Sequence, residues 1–335
     1  MGIKNLLKFL NEFPKLVNKT KLDDYKEKRI AVDISILLYQ VVISVRSSGA
    51  DLKNKKGEIT SHILGLFNKT ILLLKRNIIP VFVFDGKPPP FKNNVLACRN
   101  QNRKRYLEKM LNAKTEQERI KYFKRIVYIS KQQYKECQDL LKNMGIPYVV
   151  APEEADSQCA YLCKNNLVDG VLTEDMDILT FGSKNVIRNL SSYKKDPIEI
   201  NLDSILQKLN FTYENFVEFC ILLGCDYIDS LSDISPNVIY KYYSQYKDIK
   251  RTLEELKKDG YNVNVNMNYE EIKNYFSKSK NYNVIKSGDL ELVKPDKNSL
   301  CKLLVERYGL VKYKIDKKLD FLIDFHNMKK KVIDI

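Results

Sequence analysis

Seven acidic residues form a series along the chain, and most of them stand at the ends of apolar runs or at helix-start signals. They are Asp33, Asp85, Glu154, Asp156, Asp175, Asp177 and Asp226. In an open parallel sheet the carboxyl ends of the strands and the helix starts that follow them face one crevice, so acids from distant parts of the sequence can converge there. Crowded carboxylates raise one another's pKa values unless cations compensate their charge. The pattern therefore predicts an all-carboxylate site for divalent metal ions.

The donors that are available indicate which ion would bind. The chain has two histidines, His62 and His326, and none of its seven cysteines forms a Cys-X-X-Cys pair. Carboxylate oxygens suit hard cations, so we expect Mg²⁺, which Mn²⁺ could replace, rather than zinc. Two such ions can hold a phosphodiester, activate a water molecule and stabilise the leaving oxygen without a side-chain nucleophile. His62 is then interpreted as a structural or hydrogen-bonding residue.

The net charge indicates the kind of partner. The 335 residues include 57 Lys and Arg against 42 Asp and Glu, which gives a formal charge of +15. Such an excess predicts a polyanionic partner, with nucleic acid favoured over an anionic membrane surface. Much of the excess lies in residues 91–135, which contain thirteen basic and three acidic residues. Taken alone, a charged run of this kind is most often a solvated helical hairpin.

Other sequence features limit the class of protein. No stretch is long and apolar enough to predict a membrane-spanning helix, and the N-terminal segment lacks the apolar core and cleavage site of a secretory signal. Seven cysteines, an odd number, favour a reducing compartment over a disulfide framework. Strand-like and helical patterns alternate over residues 1 to about 230 and predict an α/β fold with a mainly parallel central sheet flanked by helices.

A series of motifs resembles one nuclease family when it is taken in order. The motifs are MGIKNLL, AVDISILLYQ, RSSGADLKNKKGEITSH, VFVFDGKPPP, MGIPYVVAPEEADSQCAYL, LTEDMDILTFGS and ILLGCDYIDSL. They resemble the flap endonuclease branch of the XPG-type structure-specific 5′ nucleases, and the RSSG…GEITSH insert is similar to that of flap endonucleases rather than of their exonuclease and excision-repair relatives.

The resemblance implies a PIN-like nuclease core, a basic helical arch and a helical C-terminal region with a helix-hairpin-helix-like element. The corresponding ranges are residues 1–90 (N-terminal nuclease region), 91–135 (arch), 136–230 (internal nuclease region) and 231–335 (DNA-binding C-terminal region). It also implies that all seven acids listed above match metal ligands of the family. Asp156 stands where flap endonucleases usually have Glu, so its reach is shorter.

Further residues take roles by the same resemblance. Asp175 and Asp177 would act in catalysis together with Lys92 and Arg99, two arch-base cations that would stabilise the charge growing on the scissile phosphate. The resemblance implies DNA contacts without base readout for a basic set in the arch, which is Arg103, Lys104, Arg105, Lys124, Arg125 and Lys131. Gly2 and Thr60 are also matched to substrate-binding positions, Thr60 in the 3′-flap pocket.

Two matched residues have alternative roles. Tyr39 matches a position where an aromatic ring stacks on the base next to the cleaved bond, but core packing at helical spacing explains it equally well. Arg46 matches a substrate-binding position that supports the arch.

Several positions depart from the family pattern. Between Ser230 and Pro236, Asp233 and Ser235 replace glycines of a hairpin whose backbone amides hold duplex phosphates, often with K⁺, so we do not expect a typical K⁺ site there. Lys55 and Lys56 stand where relatives are often acidic. The segment KKLDFLIDF lacks the features of a sliding-clamp peptide, and we expect it to pack in the core.

The leading hypothesis is a Mg²⁺-dependent 5′ flap endonuclease with 5′→3′ exonuclease activity that acts in DNA replication and repair. Asp156 and the altered hairpin motivate a second hypothesis, a 5′→3′ exonuclease or gap nuclease with little flap preference. A third is a non-catalytic DNA-junction binder. We expect branched or flapped duplex DNA as partner, a sliding clamp as a further candidate, no membrane, a monomer, and an intracellular site of DNA replication, nuclear or, for a viral protein, cytoplasmic.

Overall fold

The computed structural model describes residues 2–190, 195–228, 231, 233–264, 268–277 and 282–333. The chain forms two compact units and passes between them several times. The first unit comprises Met1–Asp24, Gly86–Val95 and Ala151–Asn283, and the second comprises Tyr25–Asp85, Leu96–Val150 and Val284–Ile335. The division into four functional regions drawn from the sequence stays a prediction.

The described residues contain strands and helices in alternation over the first two thirds of the chain and helices beyond them. The strands are β1 (Val17–Lys19), β2 (Arg29–Asp33), β3 (Ile79–Phe84), β4 (Tyr148–Val150), β5 (Gly170–Leu172), β6 (Asn185–Arg188) and β7 (Ile198–Asn201). The helices are α1 (Leu6–Leu10), α2 (Ile34–Arg46), α3 (Ser61–Lys75), α4 (Asn93–Leu111), α5 (Glu116–Phe123), α6 (Lys131–Met144), α7 (Ala155–Lys164), α8 (Leu202–Leu209), α9 (Tyr213–Leu223), α10 (Pro236–Tyr246), α11 (Ile249–Lys258), α12 (Glu270–Ser277), α13 (Lys297–Cys301) and α14 (Lys312–Ile333).

The strands of the second unit are parallel. β2 pairs with β3 from Arg29–Ile79 to Asp33–Val83, and β3 pairs with β4. β2 and β3 are almost entirely buried, which explains why both read as continuous apolar runs, since a parallel strand is covered on both faces. The segments that follow β2 and β3 in the chain therefore start at the carboxyl ends of these strands, where the predicted ligands Asp33 and Asp85 stand.

The first unit combines parallel and antiparallel pairing. β5 and β6 are parallel, while β7 pairs antiparallel with both β6 and β1. Helix α9 is buried along most of its length and is held by an aromatic cluster in which the Phe9 ring lies 5.1 Å from that of Phe219 and 5.3 Å from that of Tyr240. The predicted α/β fold with a mainly parallel sheet is confirmed, and β1 and β7 are its antiparallel members.

Most of the basic segment forms two helices, α4 and α5, and its last residues, from Lys131, begin α6. Helix α4 has 19 residues with little apolar content, and α5 begins after Thr115, whose side chain accepts a hydrogen bond from the Glu118 amide. No residue of α5 is fully buried. The segment is therefore largely helical, and most of its charged side chains face solvent. Its role as an arch stays a prediction.

The altered hairpin is described only in part. Ser230 and Ser232 lie outside the described residues, whereas Ser235 directly precedes α10 and its hydroxyl accepts a hydrogen bond from the Val238 amide at 3.4 Å. Ser235 therefore caps a helix where the family pattern has glycine. Among the described helices, none is long and apolar enough to cross a membrane.

Candidate active site

Asp175 and Asp177 are held in a tight turn that follows β5. The hydroxyl of Thr173 accepts a hydrogen bond from the Asp175 amide at 3.1 Å, and Asp175 Oδ1 accepts one from the Asp177 amide at 3.1 Å. A 3-10 turn then runs from Asp177 to Leu179. Strand β5 thus delivers both acids at its carboxyl end, as the sequence predicted.

Gly2 packs directly against these two acids. Its φ is +81°, and a Cβ at this position would lie 1.9 Å from Asp175 Oδ1 and 2.8 Å from the Asp177 nitrogen. Both the left-handed backbone and the lack of space require glycine here. The sequence matched Gly2 to a substrate-binding position, and the structure shows that it contacts the acid pair; its contact with DNA stays a prediction.

Burial and mutual repulsion raise the pKa values of both carboxyls. Desolvation is the largest cause for each, and for Asp177 the charges of Asp175 and Asp226 add to it. The ammonium group of Lys92 acts in the opposite direction on both pKa values. The three acids and the one lysine therefore share an electrostatic environment in which negative charge is costly and a cation is favoured.

Glu154 is held by three side chains of the first unit. It is 3% exposed and stands just before α7. One carboxylate oxygen, Oε1, forms an ion pair with Lys92, and the other, Oε2, accepts hydrogen bonds from the hydroxyls of Tyr227 and, at 2.9 Å, Tyr275. A buried carboxylate with this many donors is held in one orientation.

The two remaining predicted metal ligands of the first unit, Asp156 and Asp226, are half-buried. Asp156 lies in the first turn of α7, where its charge also complements the helix dipole. Asp226 follows Gly224, whose φ of +92° ends α9. Asp226 is close enough to raise the pKa values of both Asp175 and Asp177. The first unit thus carries five of the seven predicted ligands.

The donors of this group suit a hard cation. Within the described ranges, no three His, Cys, Asp or Glu side chains already form a metal-binding group. Asp177 Oδ1, however, is buried without a hydrogen-bond partner, and a Cβ on Gly2 would lie 2.9 Å from it. A buried carboxylate oxygen that lacks a donor is costly unless a cation approaches it. The residues therefore fit Mg²⁺ or Mn²⁺ by their chemistry.

Asp33 and Asp85 are joined through Ser35 in the second unit. Asp33 caps α2 by accepting hydrogen bonds from the Ser35 amide at 2.9 Å and the Ile36 amide at 3.4 Å. The Ser35 hydroxyl donates to Asp85 Oδ2 at 2.5 Å and lies 2.9 Å from the Tyr134 hydroxyl. Burial raises the pKa of Tyr134, so this phenol stays protonated. Asp33 is thus the N-cap of α2, and Ser35, in the first turn of that helix, links it to Asp85.

Arg46 supports the end of α5. Its guanidinium forms a bidentate ion pair with Asp51, at 2.8 and 3.1 Å, and donates to the Phe123 carbonyl at 3.1 Å. It also stacks 4.2 Å from the centroid of the Phe123 ring. These contacts agree with the predicted support of the arch, whereas direct contact of Arg46 with DNA stays a prediction.

Tyr39 is exposed rather than packed in the core. Its side chain is 39% exposed and lines a cavity of about 470 Å³ together with Ile43, Gln117, Ile120, Lys121, Lys124 and Arg125. A phenol ring beside three cations is chemically suited to stacking on bases and to contacts with phosphates, and the DNA contact of Tyr39 stays a prediction. Thr60, by contrast, is buried at the start of α3.

The basic residues of the arch differ in exposure. Arg99, Lys104, Arg105, Arg125 and Lys131 are exposed, while Arg103 and Lys124 are half-buried. Arg103 stacks 4.6 Å from the centroid of the Tyr128 ring, and Arg125 lies 5.3 Å from that of Tyr106. Aromatic rings interleaved with exposed cations form a surface that suits a phosphate backbone.

His62 is a structural residue, as the sequence indicated. It is buried, and its Nε2 lies 2.8 Å from Glu136 Oε2. Arg307 also pairs with Glu136, at 2.6 Å. Burial lowers the pKa of His62 despite the adjacent carboxylate. The ring therefore contributes to packing around α3 and α6 of the second unit.

Sequence reasoning missed the hydroxyl groups that hold the acids. Tyr227 could have been found, because it directly follows Asp226 in the motif CDY. Ser35 stands two residues after Asp33, a spacing typical of a helix cap. Tyr275 and Tyr134 carry no such signal, since each is remote in sequence from the acid that it serves.

The comparisons with known proteins cover nearly the whole chain. The sequence matches the XPG N-terminal domain over residues 1–106 and the XPG I-region over residues 145–226. Flap endonuclease 1-B of Physcomitrium patens is 39% identical over 317 residues, which cover 92% of this chain and 91% of the relative. Flap endonuclease 1 of Aedes aegypti is 40% identical over 311 residues, covering 91% of this chain and 82% of the relative.

Solved structures share the same fold. Flap endonuclease-1 from Methanococcus jannaschii matches with a TM-score of 0.72 at 32% identity, covering 93% of this chain and 97% of that one. The catalytic core of Rad2, solved in complex with a DNA substrate, matches with a TM-score of 0.73 at 24% identity, covering 96% and 100%. The Rad2 likeness supports the fold alone.

Proposed function

The chain belongs to the flap endonuclease branch of the XPG family, and from this membership we propose that it is a structure-specific 5′ flap endonuclease. It hydrolyses a phosphodiester at the junction of single- and double-stranded DNA and so removes 5′ flaps in replication and repair. It acts inside the cell, at the site of DNA synthesis. The observation that carries the proposal is the acid pair Asp175 and Asp177, held against Gly2 with Lys92 nearby.

The proposed catalytic group contains acids and one cation. Glu154, Asp156, Asp175, Asp177 and Asp226 would hold Mg²⁺, and the residue-by-residue match with the family extends the ligand set to Asp33 and Asp85. Two bound divalent ions would supply a metal-activated water and a stabilised leaving oxygen. Gly2 packs against the acid pair without a side chain that would displace Asp175. Lys92 would contribute positive charge where the phosphate gains negative charge in the transition state.

The arch would bind the 5′ single strand without reading its sequence. The exposed cations Arg99, Lys104, Arg105, Arg125 and Lys131 offer contacts to phosphates, and Tyr39 offers a ring for base stacking. Binding should therefore weaken steeply with salt. A sliding clamp is a candidate partner, although the segment KKLDFLIDF does not match a clamp-binding peptide. A monomer is sufficient for the proposed reaction.

One gel experiment separates the candidate functions. Labelled flap, nick, gap and single-stranded substrates are incubated with the protein in Mg²⁺, in Mn²⁺ and in EDTA. We expect cleavage at the flap junction in Mg²⁺ or Mn²⁺ and none in EDTA. Equal cleavage of gaps and flaps would favour the exonuclease or gap nuclease, for which the shorter Asp156 is the supporting observation. Binding without cleavage in either metal would favour a junction-binding protein.

A further inference from the structure

A tyrosine from the C-terminal helix α12 contacts an acid at the start of α7. Tyr275 is 6% exposed, and its hydroxyl donates a hydrogen bond of 2.9 Å to Oε2 of Glu154. Tyr227 donates to the same oxygen, whereas Lys92 pairs with Oε1. The two oxygens of Glu154 therefore differ: neutral hydroxyls hold one of them, and a cation is attracted to the other.

The ring of Tyr275 is fixed on several sides. It lies edge-on to Tyr227, with centroids 5.6 Å apart, and edge-on to Phe181, with centroids 5.5 Å apart. Edge-to-face contacts of this kind fix the direction in which the hydroxyl points. Helix α12 is itself attached to α9 by an ion pair between Lys273 and Glu218. The donor is therefore preorganised and does not have to be ordered when the acid is used.

We propose that Tyr275 is a positioning residue that orients Glu154 for metal binding. The inference rests on the proposed function, in which Glu154 is a metal ligand. Hydrogen bonds from neighbouring side chains fix the orientation of metal-binding carboxylates and affect metal affinity. A neutral hydroxyl fixes Oε2 without cancelling the negative charge of the carboxylate, so Oε1 stays attractive to a cation. Helix α12 is thereby part of the metal site, although it is remote from every acidic motif in sequence.

A purely structural role for the same hydroxyl predicts a different outcome. If Tyr275 only satisfies a buried polar group, its removal lowers the stability of the fold and leaves metal affinity unchanged. The chain offers a matched control in Tyr243, whose hydroxyl donates to Glu218 Oε2 at 2.7 Å and is buried. Tyr243→Phe also removes a hydrogen bond between a tyrosine and a carboxylate, and the carboxylate that loses it, Glu218, is the one that attaches α12 to α9. The substitution leaves the hydrogen bonds of Glu154 in place.

The test compares Tyr275→Phe, Tyr243→Phe and the wild type as full-length proteins. Binding of Mn²⁺ is measured directly by electron paramagnetic resonance in the absence of DNA, and thermal unfolding midpoints in EDTA report folding. We expect about tenfold weaker Mn²⁺ binding in Tyr275→Phe. Tyr243→Phe should bind Mn²⁺ like the wild type. Single-turnover cleavage should show the same separation, with Tyr275→Phe requiring more Mg²⁺ for half-maximal rate.

The variant Asp177→Asn distinguishes failure of this inference from failure of the proposed function. If Asp177→Asn weakens Mn²⁺ binding while Tyr275→Phe binds it as tightly as the wild type, the positioning role is wrong and the metal site stands. If Tyr275→Phe and Tyr243→Phe weaken Mn²⁺ binding equally, the effect comes from loosening α12, and the positioning role is again wrong. If Asp177→Asn leaves Mn²⁺ binding unchanged, both proposals are overturned.

Discussion

The ammonium group of Lys92 forms an ion pair with the buried carboxylate of Glu154. The same ammonium lies 5.8 Å from the centroid of the Tyr227 ring and opposes the rise in the pKa values of Asp175 and Asp177 that burial causes. Lys92 thus offsets part of the charge of three acids. Because it is already held beside them, it needs little rearrangement to stabilise negative charge on a phosphate.

Replacing Lys92 should slow cleavage more than it weakens binding. Lys92→Met removes the cation and keeps a side chain of similar length, and we expect a loss of about 10²-fold in the single-turnover rate, as for a group that acts mainly in the transition state. Affinity for flap DNA should change little, because many other cations contact phosphates. Lys87→Met, which removes an exposed lysine of the same unit, is the control and should retain its rate. A Lys92→Met variant with normal rate and weakened binding would contradict the assignment.

Gly2→Ala should disturb the acid pair. The added Cβ would stand 1.9 Å from Asp175 Oδ1, so either the N-terminal segment or Asp175 must move. A displacement of about 1 Å at a reacting centre can cost about 10² in rate. Gly57→Ala is a close control, because Gly57 has φ +82° but a Cβ there would meet nothing within 4 Å. The measurement is single-turnover cleavage at saturating Mg²⁺, and equal rates for the two variants would show that the contact with Asp175 is unimportant.

Asp177→Asn should stabilise the protein in EDTA. Burial and the charges of Asp175 and Asp226 raise the pKa of Asp177, so ionisation of this group in the folded state costs stability. The cost is absent below the ordinary carboxyl pKa of about 4 and grows as pH rises toward the raised value. The gain in the free energy of unfolding of Asp177→Asn over the wild type should therefore be larger at pH 7.5 than at pH 5. Each kcal/mol of this gain should raise Tm by about 2–4 °C.

The exposed acid Asp203 provides the control for that prediction. Asp203→Asn removes one charge from the first turn of α8 and should give no gain in Tm at either pH. Added Mg²⁺ should raise the Tm of the wild type more than that of Asp177→Asn. An Asp177→Asn variant less stable than the wild type in EDTA at both pH values would contradict the proposed repulsion.

Two basic residues of the arch should have separable roles. Arg99→Ala should slow the chemical step under single-turnover conditions, because the family match assigns Arg99 to the scissile phosphate. Lys124→Ala should mainly weaken DNA binding and reduce the slope of its salt dependence by about one. Binding isotherms at several salt concentrations, together with rates at saturating protein, measure both effects. A purely binding effect in Arg99→Ala would remove it from the catalytic group.

Much of the fold and the acidic set could be predicted from local signals in the sequence. Buried parallel strands read as apolar runs, as RIAVD and PVFVFD do, and the acid at the end of each run marks the carboxyl end of the strand. Charge density identified the basic segment, whose two helices the structure shows. These features depend on neighbours along the chain, which is why periodicity and composition indicate them.

Contacts between residues remote in sequence were decided only by the tertiary structure. The approach of Gly2 to Asp175 and the hydrogen bond from Tyr275 to Glu154 join segments more than one hundred residues apart, and no local pattern specifies either pair. The sequence also did not decide whether Tyr39 is buried or exposed, because the same helical spacing suits a core residue and a surface residue. Sequence by itself determined which groups can do chemistry. Packing decided which hydroxyl, glycine or cation stands beside each acid, because burial and orientation depend on all the segments that meet there.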